Sequence, residues 1–446
     1  MIQVLQLLLS LSILVILHEL GHYLTAKFFG CKVEKFYLFM DWGWGNWDGA
    51  LFKKKVGETE FGVGWAPLGG YVKIAGFIDE SMDTDGVEKE PEEWELRAKP
   101  AWQRLIVMLG GIVVNLLLAW VIYSMILFSW GNNYVPMDSL IDGLSFNEGG
   151  EKLGFVDGDK IVSIDGESLR EYDPLFIVSS ILFEGAEKVE VFRGGEKTIV
   201  NLIPDSVNMV ISNIQNYKGS IVGANYRWNV DGIHSQSPLK NTTLERGDRI
   251  LTIDNIQTTF INQETRSYLM SKKNESITIT FEKKKSKKIE TVSFVLPNDG
   301  LLGVDIMGEY QKTKTFTFFE SIPEGFNKTK SMIKMYWGQI KTIFNPKTGG
   351  YKHVGGIISI GKMFPGQWNW LAFWSMTALL SIILAIMNLL PIPALDGGHA
   401  VIAIVEMISG KKLPLSILMP LQVVGMIILF GLLIYANGMD IVRLFN

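Results

Sequence analysis

Long runs without a charged residue constrain this chain more than any other feature of its sequence. Residues 105–130, 363–395 and 413–439 contain no Asp, Glu, Lys or Arg over 26, 33 and 27 residues, respectively. A helix that crosses a bilayer needs about 20 consecutive, mostly apolar residues. Each run is long enough, so the sequence predicts a polytopic membrane protein whose backbone crosses the bilayer as helices.

A fourth apolar run opens the chain. Residues 1–17 are uncharged and are followed directly by His18 and Glu19. A secretory signal is the alternative, but the segment lacks the basic start and the small-residue cleavage site of a signal peptide. We therefore expect a first span over residues 1–30, which gives four transmembrane helices in total.

Charge and cysteine content exclude several classes of protein. The 42 basic and 46 acidic residues give a formal net charge of −4, so a broad nucleic-acid-binding surface is not expected. The single cysteine, Cys31, cannot form an internal disulfide, which excludes a disulfide-stapled domain and a cysteine-based zinc knuckle. The partner that composition does predict is the lipid bilayer.

The segment between the second and third apolar runs contains an internal repeat. Residues 157–165 align with residues 246–254 at an offset of 89. Each copy has a Gly-Asp turn, an alternating apolar strand and a second turn. This pattern resembles PDZ domains, which bind an extended chain as an added strand. We expect two PDZ-like α+β domains at 131–220 and 221–310; two modules without a ligand, acting as spacers or size filters, are the alternative.

An amphipathic helix is predicted after the repeat, within residues 316–366. Its apolar stripe consists of Phe326, Ile333, Trp337, Ile340 and Phe344. A helix at the membrane face fits this stripe, and a helix packed on the second soluble module fits it equally well.

Basic residues beside the apolar runs predict the orientation. Eight of them lie on one side of the predicted membrane and four on the other. Because basic residues prefer the cytoplasmic side, residues 31–100 are predicted to be cytoplasmic and the repeated modules external.

An HExxH sequence, His18-Glu19-Leu20-Gly21-His22, lies in the first predicted span. At 3.6 residues per turn both histidines face the same side and can bind one metal ion, and Glu19 can reach a water on that ion. Ionisable residues inside a membrane are costly and mark functional sites; two buried histidines with satisfied hydrogen bonds are the alternative. Imidazole and carboxylate ligands favour zinc, although iron or cobalt suits the same ligand types.

A third ligand is expected where the third apolar run ends. Asp396 is the first charge after 33 uncharged residues, and Gly397-Gly398 follows it. Pro391 and Pro393 break the helix just before it, and the glycines allow the chain to turn. Alone, Asp396 fits an N-cap of the next helix; with HExxH in another span, a ligand role is the better interpretation. At 1.5 Å per residue, the residues before His18 cover about 25 Å of a bilayer core of about 30 Å, so both halves of the site are predicted toward the cytoplasmic side.

Three features together resemble the site-2 protease family, most closely its regulator-of-sigma-E protease branch. They are HExxH in the first span, the paired PDZ-like insert and the sequence Asn-x-x-Pro-x-Pro-x-Leu-Asp-Gly-Gly-His that begins at Asn388. The resemblance covers essentially the full length. It implies that His18, His22 and Asp396 are zinc ligands, Glu19 is the catalytic acid and base and Asn388 holds the substrate backbone. Separately, His399 is expected to support the site without binding the metal.

The resemblance also implies a reaction and its substrates. The reaction is intramembrane proteolysis of transmembrane proteins after a first cleavage, and family substrates include anti-sigma factors, in a stress response, and remnant signal peptides. Two family prolines are absent: Gly-Pro-x-x-Asn reads Gly111-Ile112-Val113-Val114-Asn115, and a Gly-Pro-Ile-like element reads Gly356-Ile357-Ile358. These losses affect local backbone stiffness and leave the predicted metal site intact.

Residues 58–74 are predicted to form a short hairpin, because apolar and small residues alternate there with glycine and proline interruptions. In the family such a segment forms a sheet that dips into the membrane beside the zinc; a plain cytoplasmic hairpin is the alternative. The predicted substrate-binding positions in this segment are Gly62, Gly64, Gly69 and Gly70.

A non-enzymatic function stays open. The chain could be a membrane scaffold or receptor whose PDZ-like domains bind extended peptides and whose metal is structural. A structural zinc normally has four protein ligands and the sequence offers three good candidates, which favours the enzyme.

The predicted fold class is a polytopic α-helical membrane protein with four transmembrane helices, a membrane-associated β-hairpin or sheet and two inserted PDZ-like α+β domains. In chain order the predicted segments are the first span (1–30), a cytoplasmic or re-entrant β region (31–100), the second span (101–130), the PDZ-like domains (131–220 and 221–310), the amphipathic helix and linker (316–366), the third span (367–395), the LDGGH motif with a cytoplasmic connection (396–412) and the fourth span (413–439).

Overall fold

The computed structural model describes residues 1–43, 47–77, 90–217, 219–261, 263–306 and 310–445. The chain divides into two compact units. The first unit comprises Met1–Gly131, Thr315–Trp337 and Lys352–Asn446, and the second comprises Asn132–Lys314 and Gly338–Tyr351.

The helices and strands are numbered in chain order. The helices are α1 (Ile2–Phe28), α2 (Ala101–Trp130), α3 (Glu148–Lys152), α4 (Pro174–Leu182), α5 (Pro204–Ser212), α6 (Gln263–Ser271), α7 (Phe318–Phe344), α8 (Ile357–Lys362), α9 (Trp370–Leu389), α10 (Asp396–Ser409) and α11 (Leu415–Phe445). The strands are β1 (Val33–Met40), β2 (Ala50–Val56), β3 (Thr59–Gly64), β4 (Ala66–Ile74), β5 (Asn132–Pro136), β6 (Leu144–Phe146), β7 (Lys160–Ile164), β8 (Glu167–Ser168), β9 (Glu171–Tyr172), β10 (Lys188–Arg193), β11 (Glu196–Asn201), β12 (Val222–Ala224), β13 (Gly232–Ile233), β14 (Arg249–Ile253), β15 (Ile256–Gln257), β16 (Ser276–Glu282), β17 (Ile289–Val295), β18 (Val304–Asp305) and β19 (Lys312–Lys314).

Four helices of the first unit are long and apolar enough to cross a membrane. They are α1, α2, α9 and α11, whose most apolar windows have mean hydropathies of 2.0, 2.7, 2.0 and 2.6. They correspond to the four apolar runs of the sequence, so the fold is that of a membrane protein with four candidate spans and several β-sheets. The third of these four helices, α9, ends at Leu389, six residues before the predicted end of the third span. It ends there because the two prolines that follow it lie in a turn.

Glycines set the distance between α1 and α2. A Cβ atom at Gly21 would lie 2.4 Å from the carbonyl oxygen of Gly110, and a Cβ atom at Gly110 would lie 2.7 Å from the carbonyl oxygen of Gly21. Apolar helices gain little by leaving lipid, so small residues that allow close backbone packing are a main source of helix association. The glycine inside the HExxH sequence therefore brings α1 directly against α2.

A four-stranded sheet in the first unit replaces the hairpin predicted for residues 58–74. The strand order is β2-β3-β1-β4, so β3 and β4 lie on opposite sides of β1, β3 parallel to it and β4 antiparallel. The chain crosses the end of β1 between them, where a Cβ atom at Gly64 would lie 2.2 Å from the carbonyl oxygen of Met40. The hairpin prediction was wrong because it used only the local alternation of this segment and missed the partner strand Val33–Met40.

The second unit contains two modules with the same topology. The first module has a four-stranded sheet of order β11-β10-β7-β8, a ribbon of β12 and β6, and helix α4. The second module has a sheet of order β17-β16-β14-β15, a ribbon of β13 and β18, and helix α6. Each module has its own cluster of buried apolar residues. The sequence repeat is therefore a structural repeat.

The two modules also share backbone conformations. Asp165 and Asp254, which are 89 residues apart, both adopt a left-handed conformation with φ of 49° and 51°. The Oδ1 atom of Asp165 accepts hydrogen bonds from the backbone of Glu187 and Lys188, and that of Asp254 accepts one from the backbone of Thr278. Asp tolerates this conformation better than most residues because its short side chain bonds to nearby backbone.

The division between the modules lies a few residues beyond the predicted one. Strand β12, which the predicted boundary at residues 220 and 221 places in the second module, pairs with β6 of the first module. The repeated sequence motif gives the offset between the modules and contains no information about their ends. At the outer ends of the insert, β5 pairs with β19 through Tyr134 and Lys312, so the chain enters and leaves the second unit along adjacent strands.

Helix α7 is the predicted amphipathic helix. In the first unit, the indole of Trp120 donates a hydrogen bond to the carbonyl oxygen of Ile322 (2.8 Å), and its ring lies 5.6 Å from that of Phe326. In the second unit, Gly338 lies against Phe183 of the first module. Helix α7 thus contacts α2 and the first module, and its predicted place at the membrane face or on the second module stays a prediction.

Candidate metal centre

Helix α1 carries His18 and His22 on one buried face. Each residue is 7% exposed, and their Nε2 atoms lie 3.3 Å apart. Residues four apart lie one turn apart on the same side of a helix, which explains why both rings reach the same point.

The carboxylate of Asp396 completes a group of three donors. Its Oδ2 atom lies 3.2 Å from Nε2 of His18 and 3.3 Å from Nε2 of His22. Asp396 is the first residue of α10, after the N-cap residue Leu395, and no side chain caps this helix. The alternative role of Asp396 as an N-cap is therefore wrong, because the carboxylate faces the histidines and not the end of its own helix.

A strained turn places Asp396. Between α9 and α10, the buried residue Ala394 has a left-handed φ of 79°. Such a conformation costs a residue with a Cβ atom about 1–3 kcal/mol and persists only where the surroundings hold it. A Cβ atom at Gly397 would lie 2.4 Å from the carbonyl oxygen of Leu389, and one at Gly398 would lie 2.3 Å from that of Ile392. Both glycines are therefore needed for α10 to begin directly against the preceding turn.

The three donor atoms have the spacing of ligands on one zinc ion. They form a triangle with edges of 3.2, 3.3 and 3.3 Å. Zinc binds imidazole and carboxylate at about 2.0–2.2 Å, so two tetrahedral ligands lie about 3.3 Å apart. The Oδ2 atom of Asp396 is buried and has no hydrogen-bond partner among the described residues, a costly state for a carboxylate that a cation would relieve.

The donor set fits a catalytic zinc better than a structural one. Among the described residues, no fourth His, Cys, Asp or Glu joins the group of His18, His22 and Asp396. Three protein ligands leave one tetrahedral position for water or substrate, whereas structural zinc sites are usually closed by four protein ligands.

Helix α2 forms one wall of the centre. The Nδ1 atom of His22 lies 2.8 Å from the carbonyl oxygen of Val107, to which its proton is donated when Nε2 serves as a ligand. A Cβ atom at Gly111 would lie 2.5 Å from Cε1 of His18 and 2.5 Å from Nε2 of His22. The absence of a side chain at this position therefore makes room for both rings.

Glu19 and Asn388 lie at the same centre. Glu19 is half-buried beside His18 on α1, and its Cγ atom is 3.6 Å from the position that a Cβ atom would take at Gly70. The amide nitrogen of Asn388, near the end of α9, lies 3.1 Å from Nε2 of His18. The structure thus brings both predicted residues together with the three donors.

The four predicted substrate-binding glycines separate into two pairs. Gly69 and Gly70 lie on β4, an edge strand that passes Glu19. Gly62 and Gly64 lie on β3, which is paired on both sides and cannot accept a further strand. A Cβ atom at Gly62 would lie 2.3 Å from the ring of Tyr37, so packing within the sheet accounts for this glycine.

His399 does not belong to the donor group. Its ring lies 4.8 Å from that of Phe77, and it lines a cavity of about 130 Å³ together with Arg104, Glu406 and Gln422. The sequence interpretation of His399 as a supporting residue without a metal bond stays a prediction.

Sequence reasoning named Gly111 and Asn115 as the ends of a family element and missed their contacts with the two histidines of α1. Gly110 and Gly111 were visible as a pair of small residues in an apolar run, and Asn115 as an amide in the same run. Small residues in a span indicate close helix packing, and a polar residue there indicates function. Neither signal identifies the residue contacted on the neighbouring helix.

Comparison with known proteins gives one family and several full-length relatives. The model of the family described as Peptidase family M50 matches residues 6–432. A protein of Clostridium perfringens is 28% identical over 440 residues, covering 98% of this chain and 97% of its own. A protein of Rickettsia conorii is 27% identical over 458 residues and covers 100% of both chains, and one of Thermotoga maritima is 24% identical over 516 residues and covers 98% of both. All three carry names that give zinc metalloprotease as their expected activity.

Proposed function

The chain belongs to peptidase family M50, the site-2 proteases, and from that premise we propose that it is an intramembrane endopeptidase whose zinc is held by His18, His22 and Asp396. It is a multi-pass membrane protein, and its cofactor is zinc. The observation that carries the proposal is the donor triangle with edges of 3.2 and 3.3 Å, built from residues of two helices that are far apart in the sequence.

The chemistry divides between the ion and the chain. When bound, zinc polarises the scissile carbonyl and makes a water molecule acidic enough to lose a proton near neutral pH. Glu19 would accept that proton and return it to the leaving amine, which is the role of a general base followed by a general acid. Its place beside His18, half-buried and next to β4, supports this assignment.

We propose that the substrate binds as an extended strand. A peptide bond in a transmembrane helix is shielded by its hydrogen bonds and side chains, so cleavage requires local unwinding. Strand β4 is an edge strand and passes Glu19 at Gly70, so an unwound segment would add to its free edge at Gly69 and Gly70 through backbone hydrogen bonds. Asn388 would bond the freed backbone on the other side. Gly62 and Gly64 have no part in this proposal, because β3 is an interior strand.

The tandem modules are proposed to be PDZ-like domains that restrict entry to shortened substrates. Their shared topology of a small sheet, a ribbon and a nine-residue helix supports the assignment. The proposed substrates are transmembrane proteins after a first cleavage, such as anti-sigma factors in a stress response, and remnant signal peptides. The proposed location is the bacterial cytoplasmic membrane, with the modules outside, the metal centre toward the cytoplasm and α7 at the membrane face.

The filter is tested by deleting residues 137–310. This deletion keeps β5 and β19, whose pairing closes the ends of the insert. The shortened chain is expected to cleave a membrane protein that has not been trimmed, whereas the full chain cleaves only the trimmed form. Unchanged selectivity would contradict the filter and leave the proposed reaction unaffected.

The reaction is tested with Glu19→Gln in protein reconstituted into lipid vesicles. Cleavage of a trimmed single-span substrate is expected to disappear while about one zinc per chain is retained, because the variant removes the base and keeps the ligands. If Glu19→Gln cleaves as fast as the unchanged protein, the base assignment is wrong. If the unchanged protein holds zinc and cleaves no membrane substrate, a scaffold with a structural metal is the better interpretation.

A further inference from the structure

The two histidines of the metal centre differ in how their second ring nitrogen is held. A histidine that binds a metal through Nε2 carries its proton on Nδ1, and that proton needs an acceptor. For His22 the acceptor is the carbonyl oxygen of Val107, 2.8 Å away. For His18 the group beside Nδ1 is the side-chain amide of Asn115, at 3.1 Å.

The amide of Asn115 faces His18 with its nitrogen, which cannot accept that proton. Asn115 is fully buried, and its Oδ1 atom has no hydrogen-bond partner among the described residues. The nitrogen and oxygen of an amide have nearly the same shape, and a half-turn about the Cβ–Cγ bond exchanges them. After this exchange Oδ1 would accept the Nδ1 proton of His18, and a buried oxygen would gain a partner.

We propose that Asn115 is a positioning residue that accepts the Nδ1 proton of His18 through Oδ1 and so holds the imidazole in its zinc-binding tautomer. The inference rests on the proposed role of His18 as a zinc ligand. Asn115 itself touches neither substrate nor metal in this arrangement, and acts through the orientation and tautomer of the ring.

A second bond connects Asn115 to the helix that leads to the third ligand. The hydroxyl of Ser381, fully buried on α9, donates a hydrogen bond to the backbone carbonyl of Asn115 (2.7 Å). Helix α9 continues to Asn388 and to the turn before Asp396. Asn115 therefore contacts α1 at the metal centre through its side chain and contacts α9 through its backbone.

The spacing along α2 supports the same role. Val107, Gly111 and Asn115 are four residues apart and share one face of the helix. Val107 bonds His22, Gly111 leaves room for both rings and Asn115 contacts His18. A buried amide in an apolar span is costly, so its presence on this face indicates a function that an apolar residue could not supply.

The test measures zinc affinity in full-length protein, by competition with a chelator, for Asn115→Ala and Asn115→Asp. Alanine adds no bulk and removes the acceptor, and the zinc dissociation constant is expected to rise about 10- to 100-fold. Aspartate keeps an acceptor oxygen at the same reach. The Asn115→Asp variant is therefore expected to bind zinc at least tenfold more tightly than Asn115→Ala. Ser381→Ala, which removes only the bond between α2 and α9, is the comparison for a purely structural effect.

The melting temperature of the zinc-free protein separates positioning from folding. Positioning predicts that Asn115→Ala changes zinc affinity while the zinc-free protein melts within a few degrees of the unchanged chain. Equal zinc affinity in Asn115→Ala and the unchanged protein would overturn the inference, whatever the melting temperature; if Asn115→Ala does not fold, weak zinc binding by Asn115→Asp would overturn it. The Asp396→Asn variant separates a failure of this inference from a failure of the proposed function. If that variant retains zinc, the proposed set of zinc ligands is itself wrong.

Discussion

The two units contain buried carboxylate oxygens with opposite surroundings. In the first module, Asp159 is 1% exposed and accepts hydrogen bonds from the backbone of Val156 (3.0 Å) and from two nitrogens of Arg193 (2.8 and 2.7 Å). At the metal centre, Oδ2 of Asp396 lies beside two imidazole nitrogens and has no hydrogen-bond partner among the described residues. The hydrogen-bonding capacity of the Asp159 carboxylate is thus used within the first module, whereas Oδ2 of Asp396 is placed to bind a cation.

The repeat shows that the first arrangement belongs to the fold. Asp248, at the same position of the second module, accepts from the backbone of Glu245 (2.9 Å) and Lys284 (3.0 Å) and from the side chain of Lys283 (3.0 Å). A feature present in both copies is explained by the topology that they share. Burial alone therefore does not identify a functional acid; incomplete hydrogen bonding is the more informative observation.

The largest expected effect comes from Asp396→Asn. The amide cannot replace an anionic ligand, so zinc content and cleavage are expected to fall together, by orders of magnitude for cleavage. The zinc-free protein should be no less stable than the unchanged zinc-free chain, because Oδ2 of Asp396 has no hydrogen-bond partner among the described residues. Metal analysis, a cleavage assay and thermal unfolding measure the three quantities, and a large loss of zinc-free stability would remove the contrast with Asp159.

The reverse result is expected for Asp159→Ala. Losing a buried carboxylate bonded to Arg193 and to the backbone should destabilise the first module by about 2–3 kcal/mol. Cleavage of a trimmed substrate should be retained at temperatures where the module stays folded. Pulse proteolysis of the full chain measures the stability, with the exposed Glu167→Ala as the matched acid in the same module. A loss of zinc in Asp159→Ala would break the comparison.

Gly111→Ala extends the comparison to the wall of the metal centre. The added methyl group would meet both histidines at 2.5 Å, so one ring must move, and zinc affinity and cleavage are expected to fall about tenfold or more. Gly431→Ala in α11 is the control, since a Cβ atom there meets nothing within 4 Å. The control should leave both quantities within about twofold and slightly favour the helix. Equal effects of the two substitutions would show that the wall is not tightly packed.

The smallest effects compare two left-handed residues. Ala394→Gly removes a strained Cβ atom and is expected to raise stability by about 1 kcal/mol. Asp165→Gly relieves a similar strain but loses an oxygen that accepts two backbone hydrogen bonds, so a net loss of about 1 kcal/mol is expected. Chemical denaturation measures both changes. If both substitutions change the stability in the same direction, the hydrogen bonds of the Asp165 side chain do not determine the difference between the two sites.

The sequence predicted the family, the zinc cofactor and four candidate spans, because these depend on patterns that are local or nearly so. Residues four apart on a helix lie on one face, and uncharged runs have a length that can be counted. The sequence grouped Asp396 with His18 and His22 because the HExxH motif and the LDGGH motif both place ionisable residues in apolar spans. Counting residues along the spans put both motifs at a similar depth in the membrane. The structure brings these three residues together.

The parts that could not be predicted depend on contacts between distant segments. The alternation of residues 58–74 was visible, but the strand Val33–Met40 that separates β3 from β4 was not assigned. The roles of Gly111 and Asn115 require knowledge of which turn of α1 faces them. The end of the first module at β12 depends on a strand pair that closes across about 80 residues.

The pairing of β5 with β19 has a consequence for the history of such chains. Because the tandem modules begin and end on neighbouring strands, the whole insert can be lost, gained or exchanged through a single junction of two short segments. Selection can therefore replace these modules as one cassette, while the four apolar helices and the metal-binding residues pass unchanged from ancestor to descendant.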